Sequence, residues 1–206
     1  MKKRIEEAGG EWAGGGEKKV QGFTFDVNAE RVFKLLKEKG RCNLAQEFQF
    51  FETPKETADW LVSLVGSILP EIKILEPSAG RGSIIKAIHR VCHNVTVDCY
   101  ELMPENREVL AKLPNIRIIG EDFVTAAVGS YDLIIANPPF SGNQDIRHVS
   151  KMYDCLNPGG TLAAITSKHW TFVGEKVCHN FRDWVKDTKA KSLRSRKGRS
   201  KSPGLG

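Results

Sequence analysis

From residue 72 onward, short apolar runs alternate with segments whose apolar residues recur at helical spacing. The runs at 72–76, 95–101, 116–119, 131–136 and 161–166 predict five strands. Between them the pattern predicts helices over 83–91, from Pro104 onward, and over about 146–156. Asn157-Pro158-Gly159-Gly160 is a stop signal for the last of these. Repeated strand–helix units imply an α/β fold with a doubly wound, mostly parallel sheet. The chain carries no internal repeat.

Ahead of this block, Phe23-Thr24-Phe25 is strand-like, and Val32, Leu35 and Leu36 predict a helix near 28–38. Thr53 before Pro54 is a helix start signal, with a hydroxyl at the cap and a proline in the first turn. Residues 1–20 are charged and hold Gly9, Gly10, Gly14, Gly15 and Gly16, so they are expected to form a loose segment. The organisation expected is thus a loose segment 1–20, a domain over 21–185 and a tail over 186–206.

Charge changes the picture of the tail only. The net charge is +6, but residues 186–206 hold eight Lys/Arg and one Asp, leaving −1 for the preceding 185 residues. The basic balance therefore gives no argument that the folded part binds nucleic acid. Cys42, Cys92, Cys99, Cys155 and Cys178 are odd in number and form no Cys-x-x-Cys pair, which argues against a disulfide framework or structural zinc and for a reducing cytoplasm. No run approaches the ~18 apolar residues of a membrane span.

Candidate chemistry sits at the ends of the predicted strands. Glu76-Pro77-Ser78-Ala79-Gly80-Arg81-Gly82-Ser83 joins the first of the five to its helix, and Gly80 and Gly82 let backbone approach a ligand. A dinucleotide fingerprint would need glycine where Ile85 stands, so a cofactor with a compact polar head fits better than a diphosphate; a plain tight turn is the alternative. Glu101 ends the second strand, where a carboxylate can accept from both hydroxyls of a ribose, or merely face solvent. Asp122-Phe123 follows the third: an acceptor for an adenine amino group and a ring to cover its face, or a helix cap.

Asn137-Pro138-Pro139-Phe140 ends the strand at 131–136. Two prolines make a stiff turn that donates no backbone hydrogen bond, fixing an amide oxygen and a proline carbonyl as paired acceptors for an NH2. Phe140 beyond them is a ring for stacking. His148, His169 and Trp170 are candidates for a pocket mouth, or for packing.

In this order and spacing, these segments resemble the class I S-adenosylmethionine-dependent methyltransferases, and in detail the compact adenine-N6 DNA methyltransferases of phages and prophages. The resemblance covers roughly residues 20–185. It implies that Phe51, Thr53, Pro54, Glu76, Ser78, Gly80, Gly82, Glu101, Asp122, Phe123 and Asn137 bind S-adenosylmethionine. It implies that Asn137 and Pro138 hold the target amine, and that Phe140 stacks on a base flipped from the duplex. No metal is required. The implied partner is DNA, or RNA, for a cytoplasmic monomer that does not engage membranes. The same turn suits an RNA base or a protein glutamine amide.

Such proteins continue past the helix near 181–185 into further strands, often through a Gly-x-Phe-Lys-x-Ser-Gly-Thr stretch; residues 186–206 hold nothing similar. Back-translating residues 191–205 with permitted codons and shifting the frame by one base yields Lys-Val-Phe-Glu-Val-Glu-Lys-Gly-Ala-Phe-Lys-Glu-Ser-Gly-Thr. The tail is therefore expected to be out-of-frame translation, and the sheet to lack its C-terminal strands. On that expectation stability and activity are reduced, and the extreme outcome is a cofactor-binding remnant without activity. A basic nucleic-acid-binding module would rest on the tail alone.

Overall fold

The computed structural model describes residues 10–13, 22–25, 37 and 52–193. Strands β1 (Gly10–Ala13) and β2 (Gly22–Phe25) pair antiparallel, Gly10 opposite Phe25 and Ala13 opposite Gly22. The strand-like character of Phe23-Thr24-Phe25 is thus realised, whereas the loose segment expected over 1–20 contains a paired strand. Of the helix expected near 28–38, only Lys37 is described, in helical conformation.

The remaining elements alternate: α1 (Lys55–Ser63), β3 (Ile74–Glu76), α2 (Ser83–Val91), β4 (Val97–Tyr100), α3 (Pro104–Leu110), β5 (Ile116–Gly120), β6 (Tyr131–Ala136), α4 (Gln144–Asp154), β7 (Leu156–Ala164) and α5 (Lys176–Asp187). Strands β3 to β7 form one sheet in the order β5-β4-β3-β6-β7, with every neighbouring pair parallel. The doubly wound α/β sheet expected from the alternation is what forms. Strands β3 and β4 are buried at every position, as parallel strands covered on both faces must be. On α2, Ile84, Ile85, Ala87 and Ile88 are buried in the core with Ile74, Val97, Leu133 and Ile135 of the sheet. Ala58, Leu61 and Val62 of α1 join the same cluster, and Arg90 Nε of α2 donates to Asp59 Oδ1 of α1 at 3.0 Å.

This order creates a switch point. From β3 the chain builds outward through β4 to β5, then returns to pair β6 on the other side of β3 and continues to β7. The connections leaving β3 and β6 therefore diverge at the C-terminal edge of the sheet, where open α/β folds hold their ligands.

The last strand differs from its expectation. Asn157-Pro158-Gly159-Gly160 ends no helix; α4 stops at Asp154, and β7 runs from Leu156 straight through those four residues. Tyr131 pairs with Leu156 but Leu133 pairs with Thr161, so the strand absorbs them as a bulge. Asp132 holds it: its carboxylate accepts from the Lys73 N–H at 2.9 Å and from Asn157 Nδ2 at 2.7 Å. Gly159 takes φ +82, and a Cβ on Gly160 would lie 2.9 Å from the Asn157 carbonyl oxygen.

The chain divides into two compact units, Met1–Ser167 and Lys168–Gly206, where the sequence suggested one domain over 21–185. In the second unit a turn at His169–Thr171 precedes α5. There Phe181 meets Trp170 edge-on at 5.0 Å and stacks on Trp184 at 5.3 Å. Arg182 Nη1 donates to the carbonyls of Trp170 (2.6 Å) and Val173 (2.9 Å). Among the described residues no strand follows β7, and no helix is long and apolar enough to cross a membrane. Residues 194–206, most of the expected tail, lie outside the described residues.

Candidate active site

A cavity of about 570 Å³ opens at the switch point, within the size range of small-molecule and cofactor sites. Its wall draws on the segment before α1 (Glu52, Thr53), the β3–α2 loop (Pro77 to Arg81, and Ser83), the ends of β4 and β5, and the turn after β6 with the start of α4. Of the residues singled out in the sequence, it brings together Thr53, Ser78, Gly80, Glu101, Asp122, Phe123 and Asn137.

The β3–α2 loop turns sharply because Gly80 (φ +55) and Gly82 (φ +77) both adopt left-handed backbone. Only Gly80 faces the cavity. A Cβ on Gly82 would lie 2.6 Å from Leu113 Cδ1 and 3.1 Å from Leu110 Cδ2, so this glycine lets helix α2 seat against the end of α3 instead of admitting a ligand. The loop is pinned by the Ala79 N–H donating to the Tyr100 carbonyl at 3.0 Å and the Gly80 N–H donating to Glu101 Oε2 at 2.7 Å.

Glu101 is buried, not a solvated surface acid. Its Oε1 also accepts from the Met103 N–H (2.8 Å) and Asn106 Nδ2 (3.2 Å), so the carboxylate is held from three directions with one edge on the cavity. Burial lifts its pKa above the ordinary carboxylate value, opposed by those same hydrogen bonds. Glu76 does not reach the wall; it lies fully buried behind the loop. Burial first, then the nearby charge of Glu101, holds its carboxyl well above the usual range, with a backbone bond from Ile85 working against them. The same surroundings push the buried Cys99 thiol up to about 12, so it stays protonated and inert.

Phe123 is buried and clamped edge-on by Tyr100 at 5.6 Å, with Lys151 Nζ 5.1 Å from its ring centre. Lys151 also donates to the Val124 carbonyl at 2.8 Å, fixing the segment after β5. Asp122 lines the cavity, and its Oδ1 accepts from the Val124 N–H at 2.8 Å, a local turn bond that engages one of its two oxygens. His148 is buried 5.9 Å from Phe123, lines the cavity, and places Nδ1 2.8 Å from the Gln144 carbonyl. Burial depresses its pKa, so the ring is neutral at pH 7. His148 is thus both packed against the core and part of the cavity wall.

The turn after β6 carries the sharpest feature. Asn137 Nδ2 donates to Thr53 Oγ1 at 3.0 Å, which orients the amide, while its buried Oδ1 has no hydrogen-bond partner. Buried acceptors left in this way cost about 1–3 kcal/mol, so each calls for a functional explanation. Thr53 does not cap α1; Pro54 occupies the cap position, and no side chain caps the helix. Ser78 Oγ and Glu76 Oε2 are likewise buried without partners, so three such atoms among the described residues lie at or beside the two loops of the switch point.

Several expected residues lie off the wall. Pro138 is buried beneath the turn, Phe140 points outward at 39% exposure, and Pro54 is exposed at the start of α1. Phe51 lies outside the described residues. Conversely, Met103, Glu121, Gln144 and Arg147 line the cavity without having carried a sequence signal; each sits just beyond a strand or in a first helical turn, positions that only the sheet order reveals.

No protein-family model and no curated protein matches the sequence. Solved structures do resemble the fold. PH1948 from Pyrococcus horikoshii, assigned as an RNA methyltransferase, aligns over 77% of this chain and 81% of its own, with 18% identity and a TM-score of 0.52. A precorrin-6y C5,15-methyltransferase from Geobacter metallireducens aligns over 69% and 75%, with 15% identity and a TM-score of 0.51. TrmN from Thermus thermophilus aligns over 62% of this chain, with 19% identity and a TM-score of 0.49, and the chain spans 40% of its length; two other neighbours are spanned over 46% and 52%. The five-stranded parallel sheet with its flanking helices is an α/β, Rossmann-like methyltransferase fold.

Proposed function

We propose that this chain transfers the methyl group of S-adenosylmethionine to an exocyclic amino group, adenine in DNA being the substrate its turn fits best. The observation that carries the reading is Asn137: an amide held by Thr53 whose oxygen is buried and unpartnered at the cavity.

The residues present fit this cofactor. The cavity holds four carboxylates, Glu52, Glu101, Glu121 and Asp122, which suit a cation such as a sulfonium. Glu101, preset by Gly80, Met103 and Asn106, faces the place of the ribose hydroxyls. Ser78 and the β3–α2 loop meet the amino-acid end, and Phe123 with His148 walls the adenine. The bound cofactor supplies an electrophilic methyl group on a positively charged sulfur.

The protein's own work is positioning. The Asn137 oxygen accepts an N–H bond of the target amine, drawing its lone pair out of ring conjugation and toward the methyl carbon; Pro138, buried beneath the turn and off the wall, fixes the turn that carries this amide. That acceptor stabilises positive charge developing on nitrogen, the largest kind of term available to a site that contributes no nucleophile of its own. Phe140, exposed beside the turn, supplies a face for a flipped base.

A second reading, an RNA base as acceptor, is favoured by the fold likeness to PH1948. One experiment separates the readings: the protein is incubated with labelled S-adenosylmethionine and, in parallel, unmethylated DNA, RNA and a protein extract, while calorimetry measures cofactor binding. Label on adenine in DNA is expected; label on RNA or protein alone moves the substrate, and absence of cofactor binding removes the reading.

A further inference from the structure

The second compact unit holds a cluster with no place in the methyl-transfer chemistry. Among the described residues, His169, Glu175 and Cys178 bring one imidazole nitrogen, one carboxylate oxygen and one thiol sulfur within 4.8 Å of one another. We propose that these three residues form a binding site for a divalent transition-metal ion of the zinc type, which ties the His169–Thr171 turn to the first turn of α5.

The geometry argues for an ion over an ordinary ion pair. His169 Nε2 and Glu175 Oε1 are 3.7 Å apart, too far for a hydrogen bond, and both side chains are about half exposed, where a bare pair contributes little. Two donors of a tetrahedral zinc ion, each bonded at ~2.0–2.3 Å, stand roughly 3.3–3.8 Å apart. For a nitrogen and an oxygen ligand that spacing is ~3.3–3.5 Å, so the imidazole and carboxylate need to close by only a few tenths of an ångström, and the sulfur, within 4.8 Å of both, by up to about 1.3 Å.

The donor arrangement is prepared by contacts that do not involve the ion. Glu175 is the residue before α5, and Cys178 lies three residues on, on the same side of the first turn. The turn bearing His169 is fastened to α5 by Arg182, through the carbonyls of Trp170 and Val173, and by the packing of Trp170 on Phe181. Cys178 is fully buried while His169 and Glu175 are exposed, so the sulfur forms the floor and the other two the rim. Three protein ligands leave the fourth position to water.

The donor types select the ion. A thiolate with an imidazole and one carboxylate suits zinc; calcium and magnesium take oxygen ligands in larger number. The missing Cys-x-x-Cys pair had argued against structural zinc, but three residue types scattered over ten positions of sequence carry no spacing signature; the turn assembles them. On binding, the thiol releases its proton to solvent as the metal–sulfur bond forms, with no change of oxidation state.

The test titrates the full-length protein, stripped of metal under reducing conditions, with Zn²⁺ against a chromophoric chelator, and with Co²⁺ followed by absorption. One ion per chain is expected, with a thiolate-to-cobalt charge-transfer band absent from Cys178→Ala. Because that side chain is buried, the exposed-ligand variants His169→Ala and Glu175→Gln are measured alongside. Each should weaken zinc binding by more than the roughly tenfold that loss of even an outer partner costs. No uptake by the wild type, affinity unchanged in His169→Ala, or a cobalt spectrum without the sulfur band would each overturn the proposal.

Discussion

Asn137 Nδ2 donates to Thr53 Oγ1 across 3.0 Å, joining the turn after β6 to a residue 84 positions earlier, just before α1. With Nδ2 on the hydroxyl, the amide oxygen is left as the acceptor at the cavity.

Thr53→Val keeps the shape and removes the hydroxyl, so the amide loses its orienting partner. At about 1 kcal/mol for such a bond, methyl transfer should slow about fivefold at saturating cofactor, with Thr53→Ser retaining the wild-type rate. A wild-type rate in Thr53→Val would show that the amide is held by something else.

Burial raises the carboxyl pKa values of Glu76 and Glu101. In the unfolded chain Glu76 ionises at its ordinary value of 4.5, so above that pH the folded state binds more protons than the unfolded one. Stability should therefore fall as pH rises from the unfolded value to the raised folded one, then level off. Glu76→Gln mimics the neutral form and should flatten this slope in thermal melts of the cofactor-free protein. Parallel slopes for the two proteins would mean that Glu76 is already ionised in the fold.

Phe123 is both core and cavity wall, so two substitutions separate its roles. Phe123→Ala should destabilise by about 3–5 kcal/mol in denaturant unfolding. Phe123→Leu retains most of the packing and loses the flat ring; it should fold, yet bind S-adenosylmethionine about tenfold more weakly, a loss near the ~1.5 kcal/mol upper end for an aromatic contact. Unchanged cofactor affinity in Phe123→Leu would place the adenine elsewhere.

Gly82 and Gly66 share a left-handed backbone, at φ +77 and +76, but a Cβ on Gly66 meets nothing within 4 Å. Both Gly→Ala variants should lose about 1–2 kcal/mol from the backbone alone. Gly82→Ala should lose more, because its methyl group presses on Leu113 and Leu110. Equal unfolding midpoints would show that those leucine ends move aside freely.

Local signals made much of this molecule legible. The apolar run at 131–136 followed by two prolines located β6 and its turn to the residue, because strand burial and proline geometry act on neighbours in sequence. The same locality misled at Thr53: a hydroxyl before a proline is a sound cap signal, but Pro54 takes the cap position and the hydroxyl instead accepts from an amide 84 residues away. At 157–160 the Asn-Pro-Gly-Gly segment follows a helix that has already ended at Asp154, and Asp132, whose carboxylate holds Asn157, seats it in β7 beside the partner strand. Gly82 kept its conformational role but not its expected neighbour, since which glycine faces a cavity depends on where α3 packs. Met103 and Arg147 entered the wall by sheet order, which no single segment encodes.

Asn137→Ala tests the central claim most directly. Wild type and variant are compared for binding of S-adenosylmethionine by calorimetry and for transfer of its labelled methyl group to adenine in DNA. Cofactor binding within a few-fold of wild type and transfer lowered by about two orders of magnitude, the scale for removing one preorganised dipole from a charge-developing centre, is the predicted result. Transfer at the wild-type rate in the variant would contradict the account.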